Sequence, residues 1–311
     1  MRRLIIDTDT ASDDAVAIMM AIAAKDVSVD ALTIVAGNVS LRQASTNARF
    51  TLEMCRADVP VYEGCDRPWL QEPSTAHWYH GNDGMGDMNY SPPVKGVEKD
   101  HAVAALIKRF CDAPGEIDLV TLGPLTNIAT ALSMEPDLAQ WVNHCYVMGG
   151  SAATLGNVTP AAEYNIWCDP DAAKRVFQSG MSITMLGWEL SCDEAALDQA
   201  EQRIITSLDT RCAQIAMDCN RSALDASRDL QGQTGMALAD PVAMAVALYP
   251  QVASKTCRCF VDVETTSELT RGMTVVDKNN VLDAQANATV CLEINASVWK
   301  QKLLASLSAL P

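Results

Sequence analysis

No cluster of Lys or Arg appears anywhere in this chain of 311 residues, where 23 basic side chains face 39 acidic ones and the formal net charge is −16. A nucleic-acid binder needs a basic footprint to meet phosphate, so no nucleic-acid partner is expected, and an anionic membrane surface is excluded on the same ground. No apolar run reaches the length of about 18 residues that a membrane span requires. The opening run of Leu4, Ile5 and Ile6 is broken by Asp7, too soon for a signal peptide. Cysteine is plentiful at 11 but lacks metal or redox spacing. Cys257 and Cys259 stand two apart on an expected strand, so they share a face and form neither a zinc knuckle nor a Cys-x-x-Cys pair. Reduced thiols in the cytoplasm are the expectation. Pro/Ser-rich linkers, low-complexity stretches and internal repeats are missing too, which favours one domain over residues 1–311.

What is present is alternation. Leu4–Asp7, Ala31–Ala36, Ile117–Leu122, Cys145–Met148 and Ser182–Leu186 read as strands. Between them lie helical patterns at Asp13–Ala24, near Leu41–Ala57 and from about Leu125; the first is too uniformly apolar to be a surface helix. This βαβα order predicts an α/β fold with a mostly parallel sheet covered by helices on both faces, its ligand site beyond the carboxyl ends of the strands. After Ser191 the pattern changes. Asp193–Arg221 reads as largely helical, and Asp240–Leu248 as a helix with Pro241 in its first turn. Cys257–Glu264, Met273–Asp277 and Thr289–Ile294 read as a small antiparallel region, and Ala296–Leu310 as a closing helix. Glu63–Val97 is a long Gly/Pro/Asn-rich stretch, and loops of that length are usually functional.

Four carboxylates fall within eight residues, at Asp7, Asp9, Asp13 and Asp14. Acids held this close raise one another's pKa unless something positive lies among them. An oxygen-only set suits a hard divalent cation, calcium or magnesium, rather than zinc. Asp13 and Asp14 also stand at the positive end of the expected helix dipole. A helix cap with solvated neighbours would explain two of these acids but not four.

Two enzyme patterns open on such a cluster. In haloacid-dehalogenase-type phosphatases the first Asp, here Asp7, is a nucleophile and magnesium the metal; that pattern asks for Thr or Val where Ala11 stands. The stretch from Ile5 through Asp7-Thr8-Asp9-Thr10-Ala11-Ser12-Asp13-Asp14 to Ala17 instead resembles the N-terminal signature of the inosine-uridine-preferring nucleoside hydrolases. Ala36-Gly37-Asn38-Val39, Leu122-Gly123-Pro124-Leu125-Thr126-Asn127, Val147-Met148-Gly149-Gly150, Glu163-Tyr164-Asn165-Ile166 and Ala239-Asp240-Pro241 follow in the family's order.

The resemblance implies a calcium-dependent ribonucleoside hydrolase acting as a homodimer or homotetramer. It implies calcium ligands at Asp9, Asp14, the Leu122 carbonyl and Asp240, with Asp9 also the base that takes a proton from the attacking water. It assigns Asp13, Asn38 and Asn165 to ribose hydroxyls and the Asn157–Glu163 pair to the 5′-hydroxyl, and leaves Asp7 a supporting role. Asn38 and Asn157 each follow a glycine and also suit turns. One position departs from the family: the His that precedes the distal metal Asp and protonates the leaving base is here Ala239. Of the four histidines, His80, in His80-Gly81-Asn82-Asp83-Gly84, is the candidate base contact. Trp188, in Gly187-Trp188-Glu189, is the candidate stacking residue, with Trp78 and Tyr79 beside it in prospect, and stacking gives a lean to purine nucleosides. A nucleoside-binding protein without activity is the third reading, since the expected acid is missing.

Overall fold

In the computed structural model, which describes residues 1–232 and 234–311 (for Leu230 and Gln231 the backbone alone), nine strands form one continuous sheet. They are β1 Arg2–Thr8, β2 Val27–Ile34, β3 Val61–Glu63, β4 Ile117–Thr121, β5 His144–Met148, β6 Ile183–Leu186, β7 Ala253–Val263, β8 Thr274–Asp277 and β9 Ala288–Ile294, in the order β3-β2-β1-β4-β5-β6-β9-β7-β8. From β3 through β9 every pairing is parallel; β7 pairs antiparallel with both β9 and β8. The expected antiparallel region is thus a continuation of the main sheet. Its last strand, β9, runs antiparallel to β7 as expected and also pairs parallel with β6, which joins the region to the rest of the sheet.

Alternation along β1 shows why both faces are covered. Leu4 and Ile6 enter one apolar core and Ile5 the other, and all three are buried. The helices that supply the two cores are α1 Ser12–Ala23, α2 Leu41–Met54, α3 His77–His80, α4 Ala102–Asp112, α5 Thr126–Met134, α6 Leu138–Trp141, α7 Tyr164–Cys168, α8 Pro170–Phe177, α9 Gln199–Thr206, α10 Arg211–Asp218, α11 Arg221–Gln231, α12 Ala239–Leu248 and α13 Ala296–Ser308. Two of them matter most here. α1 and α12 are apolar all round, pack against each other, and are enclosed by the sheet and by α13. Their amino ends consequently arrive together beyond the ends of the parallel strands. The long stretch after β3 carries α3, whose first residue follows Ala76, and the Ala76 N–H donates to the Asn38 carbonyl at 2.8 Å.

Candidate functional site

The strand ends converge on one cavity. Asn38 reaches it from beyond β2, Leu122 from beyond β4, Met148 from the end of β5 and Trp188 from beyond β6, the placement expected of an open α/β sheet. Its lining divides by chemistry. Asp13, Asn38, Asn157, Glu163, Asn165 and Asp240 are polar; Trp78, Tyr79, Trp188, Met148, Ala237 and Ala239 are aromatic or apolar, with His80 among them. Asp7, Asp9 and Asp14 are fully buried and stand outside the lining.

The acids are held from several directions. Asp14 sits in the first turn of α1, where its Oδ2 accepts the Ala11 N–H at 2.9 Å and its Oδ1 the Thr8 hydroxyl at 2.5 Å. Carboxylate oxygens of Asp13, Asp14 and Asp240 all lie within 4.8 Å of one another. The Asp240 N–H points at Asp13 Oδ2 over 3.5 Å. Asp9 stands outside that trio, and its Oδ2 accepts the Asn38 N–H at 2.6 Å. Two glycines make room for it. A Cβ on Gly37 would lie 2.1 Å from Asp9 Oδ2, and one on Gly123 would lie 2.7 Å from Oδ1, so the chain closes around this carboxylate only where no side chain exists. Asp7 is tied off beneath: its Oδ2 accepts from Thr33 Oγ1 at 2.6 Å and from Asn127 Nδ2 at 2.9 Å. Asp7 thus lies outside the lining with its Oδ2 engaged by two donors, which does not favour the phosphatase reading.

Burial raises the pKa values of Asp7, Asp9, Asp14 and Asp240, and repulsion from neighbouring acids adds to it in the last three. Asp9 goes well above the usual carboxylate range through burial and then its neighbour Asp14; Asp240 does so through burial and then Asp13 and Asp14. Asp14 is pushed up to about 6 by burial and Asp13, and Asp7 to about 7 by burial. Among the described residues no Lys, Arg or His forms an ion pair with Asp9, Asp13, Asp14 or Asp240. Asp9 Oδ1 is buried without a hydrogen-bond partner. Two helix amino ends lend partial positive charge. A hard cation would complete what they leave short, and the all-oxygen donors fit one.

The rest of the cavity is built on caps and strand ends. Glu163 caps α7, accepting the Asn165, Ile166 and Gly150 N–H groups at 2.9, 3.2 and 2.8 Å. Burial nevertheless pushes its carboxyl up to about 7. Asn157 Oδ1 accepts the Tyr164 N–H at 3.0 Å, and Asn165 Nδ2 donates to the Leu122 carbonyl at 2.7 Å. His80 closes α3, is buried, and pairs its Nδ1 with Ser12 Oγ at 2.7 Å; burial lowers its pKa. Trp188 donates from Nε1 to the Leu155 carbonyl at 2.9 Å, and the Tyr79 hydroxyl meets Ser227 Oγ at 2.5 Å.

The structure therefore gathers all the residues singled out from sequence around one cavity: Asp13, Asn38, His80, Leu122, Asn157, Glu163, Asn165, Trp188 and Asp240 on its surface, Asp9, Asp14 and Asp7 behind it. Reading the sequence missed the supporting set. Thr8, Ser12, Gly37, Gly123 and Asn127 stand inside the motifs with no part assigned to them, and Thr33 stands outside them, yet each touches a site residue.

The family model described as inosine-uridine preferring nucleoside hydrolase matches residues 4–301 of this chain. The non-specific ribonucleoside hydrolase RihC of Escherichia coli (strain SMS-3-5 / SECEC) is 35% identical to it over 302 residues, covering 96% of this chain and 95% of its own. The pyrimidine-specific ribonucleoside hydrolase RihA of Photobacterium profundum is 35% identical over 296 residues, covering 94% of each. Among solved structures, the purine-preferring ribonucleoside hydrolase from Gardnerella vaginalis superposes with a TM-score of 0.91 at 27% identity, covering 99% of this chain and 98% of that one.

Proposed function

This chain belongs to the inosine-uridine preferring nucleoside hydrolase family and is a ribonucleoside N-ribohydrolase; from that premise we propose that Asp9 is its catalytic base and that Asp9, Asp14, the Leu122 carbonyl and Asp240 hold calcium. The observation that carries this reading is the concentration of buried carboxylates without a protein cation, directly behind a cavity lined by amides and acids. A calcium ion there supplies Lewis acidity, which acidifies water and polarises hydroxyl oxygens.

The chain's own residues divide the remaining work. Asp13 reads the 2′-hydroxyl, Asn38 and Asn165 hold the ribose, and Asn157 with Glu163 takes the 5′-hydroxyl. Asn165 is oriented for this by its bond to the Leu122 carbonyl. Breaking the N-glycosidic bond builds positive charge on the sugar, and negative charge fixed beforehand in a buried site lowers that barrier without reorganisation. Asp9 accepts a proton as water attacks C1′, a contribution of roughly 10²–10⁴ in rate. Ribose and free base leave.

At the base, Trp188 stacks and gives a lean to purines, while the relatives include both purine-preferring and pyrimidine-specific enzymes. We place the enzyme in the cytoplasm as a homodimer or homotetramer. Reducing-sugar release from inosine, adenosine, guanosine, uridine and cytidine tests the reading. Activity should vanish with a chelator and return with calcium, and purines should lead. Release that a chelator leaves untouched would remove the metal assignment, and calcium binding without any release would favour a binding protein.

A further inference from the structure

Position 239 is Ala, so the proton donor or hydrogen bond that helps the base depart must come from elsewhere in the cavity. Several other lining groups are engaged. The Tyr79 hydroxyl is engaged with Ser227, and the Tyr164 hydroxyl donates to the Gly37 and Ser74 carbonyls, both at 3.0 Å. Glu163 accepts three backbone N–H groups and, in the reading above, is kept for the 5′-hydroxyl. Among the described residues His80 is the one histidine in the lining, and it stands with Trp78, Tyr79 and Trp188, the aromatic part that suits a base.

Ser12 decides what His80 can do. It is fully buried, and its hydroxyl meets one group among the described residues, His80 Nδ1 at 2.7 Å. A hydroxyl that only accepted there would leave its own hydrogen buried without an acceptor, which native interiors avoid. Ser12 therefore donates to Nδ1, and the ring hydrogen rests on Nε2. The serine is itself anchored, because its carbonyl accepts from Asn220 Nδ2 at 3.2 Å and from Cys219 Sγ at 3.4 Å.

We propose that Ser12 is a positioning residue that locks His80 as an Nε2–H donor to the departing base. This rests on the hydrolase reading above, with the base seated at the aromatic part of the cavity. As the C1′–N bond breaks, its electron pair passes to the base nitrogen, and the Nε2–H hydrogen bond stabilises that charge. No proton leaves Ser12. The base takes its proton from solvent after departure, and Asp9 returns to solvent the proton it took from water, so the count balances.

The calcium-loaded enzyme and its S12A, S12T and H80A variants test this, with inosine and uridine against 4-nitrophenyl β-ribofuranoside, whose leaving group needs no help. S12A should lower kcat on both nucleosides by roughly 10- to 100-fold, the range typical when a metal-ligating histidine loses the hydrogen-bond partner that orients it. KM should change little, as should turnover of the nitrophenyl riboside. S12T should recover most of the loss, and S12A combined with H80A should be no worse than H80A alone. Independently of activity, the ¹⁵N spectrum of His80 should show the Nε2–H tautomer in the parent and its loss of preference in S12A. Equal losses on all three substrates, unaltered kcat in S12A, or an Nδ1–H tautomer in the parent each overturn the proposal. A parent that releases ribose from no nucleoside would instead bring down the hydrolase reading on which it stands.

Discussion

Gly37→Ala should inactivate the enzyme far more than it unfolds it. The new Cβ would sit 2.1 Å from Asp9 Oδ2 and 2.8 Å from its Cγ, against the 3.4 Å at which ordinary contact begins. Pro124 Cδ at 2.7 Å blocks retreat on another side. Relieving the overlap displaces the carboxylate by about 1.3 Å, and it also strains the 2.6 Å bond from Asn38 N–H, which belongs to the very next residue. A misplacement of about 1 Å can cost about 10²-fold, so kcat/KM should fall by at least that, or ~2.7 kcal/mol of transition-state stabilisation. Overpacking of this kind costs ~1–3 kcal/mol of stability, which a folded fraction measured by circular dichroism would register separately. Gly180→Ala is the matched control. Its φ of +82° makes a side chain unfavourable, but nothing lies within 4 Å, so it should lower the melting temperature and leave kcat/KM alone. The assay is initial-rate ribose release at saturating calcium. If Gly37→Ala stays within threefold of the parent, Asp9 is not fixed by this glycine and the proposed base is misassigned.

Trp188→Ala should impair purine nucleosides more than pyrimidine ones; equal losses in kcat/KM for inosine and uridine would remove the stacking role. Calcium at 100 times its dissociation constant should stabilise the fold by about 2.7 kcal/mol, read as a shift in the urea midpoint, and a midpoint indifferent to calcium would count against the acidic site. Glu163 carries a pH signature. Its folded pKa, about 7, is raised above its ordinary 4.5, so its contribution is fully present below about pH 4.5 and is lost as pH rises through 7. Glu163→Gln should accordingly gain on the parent between pH 5 and pH 8, by on the order of 3 kcal/mol from the size of that shift, and a stability difference flat across that range would refute the buried-acid account.

How much of this could be read beforehand depended on distance along the chain. Asp9, Asp13 and Asp14 were legible together because a strand end at Thr8 and a helix start at Ser12 lie four positions apart. The parallel strands were legible as apolar runs because both of their faces are buried. Asp240 came only through resemblance, since no local pattern says that α12 will meet α1. The second pairing of β9, parallel to β6, was not legible either, because its residues suit either kind of neighbour. Likewise Ser12 and His80 are 68 residues apart; His80 was a candidate base contact, but nothing local pairs it with Ser12. Gly37 and Gly123 look like turn glycines until Asp9 is seen between them.

The meeting of α1 and α12 also bears on how the molecule is assembled. Asp13 and Asp240 are 227 positions apart, yet their carboxylates and that of Asp14 share one small space. Until a cation arrives, like charges push the two helix starts apart while their apolar flanks draw the helices together. Ion capture is then the seal on a joint between the first and the twelfth helix. Release of the ion and loosening of α12 should behave as a single event, visible as coupled amide exchange in that helix. During synthesis the joint cannot close until residue 240 has emerged, so no fragment ending short of α12 can hold the reaction centre.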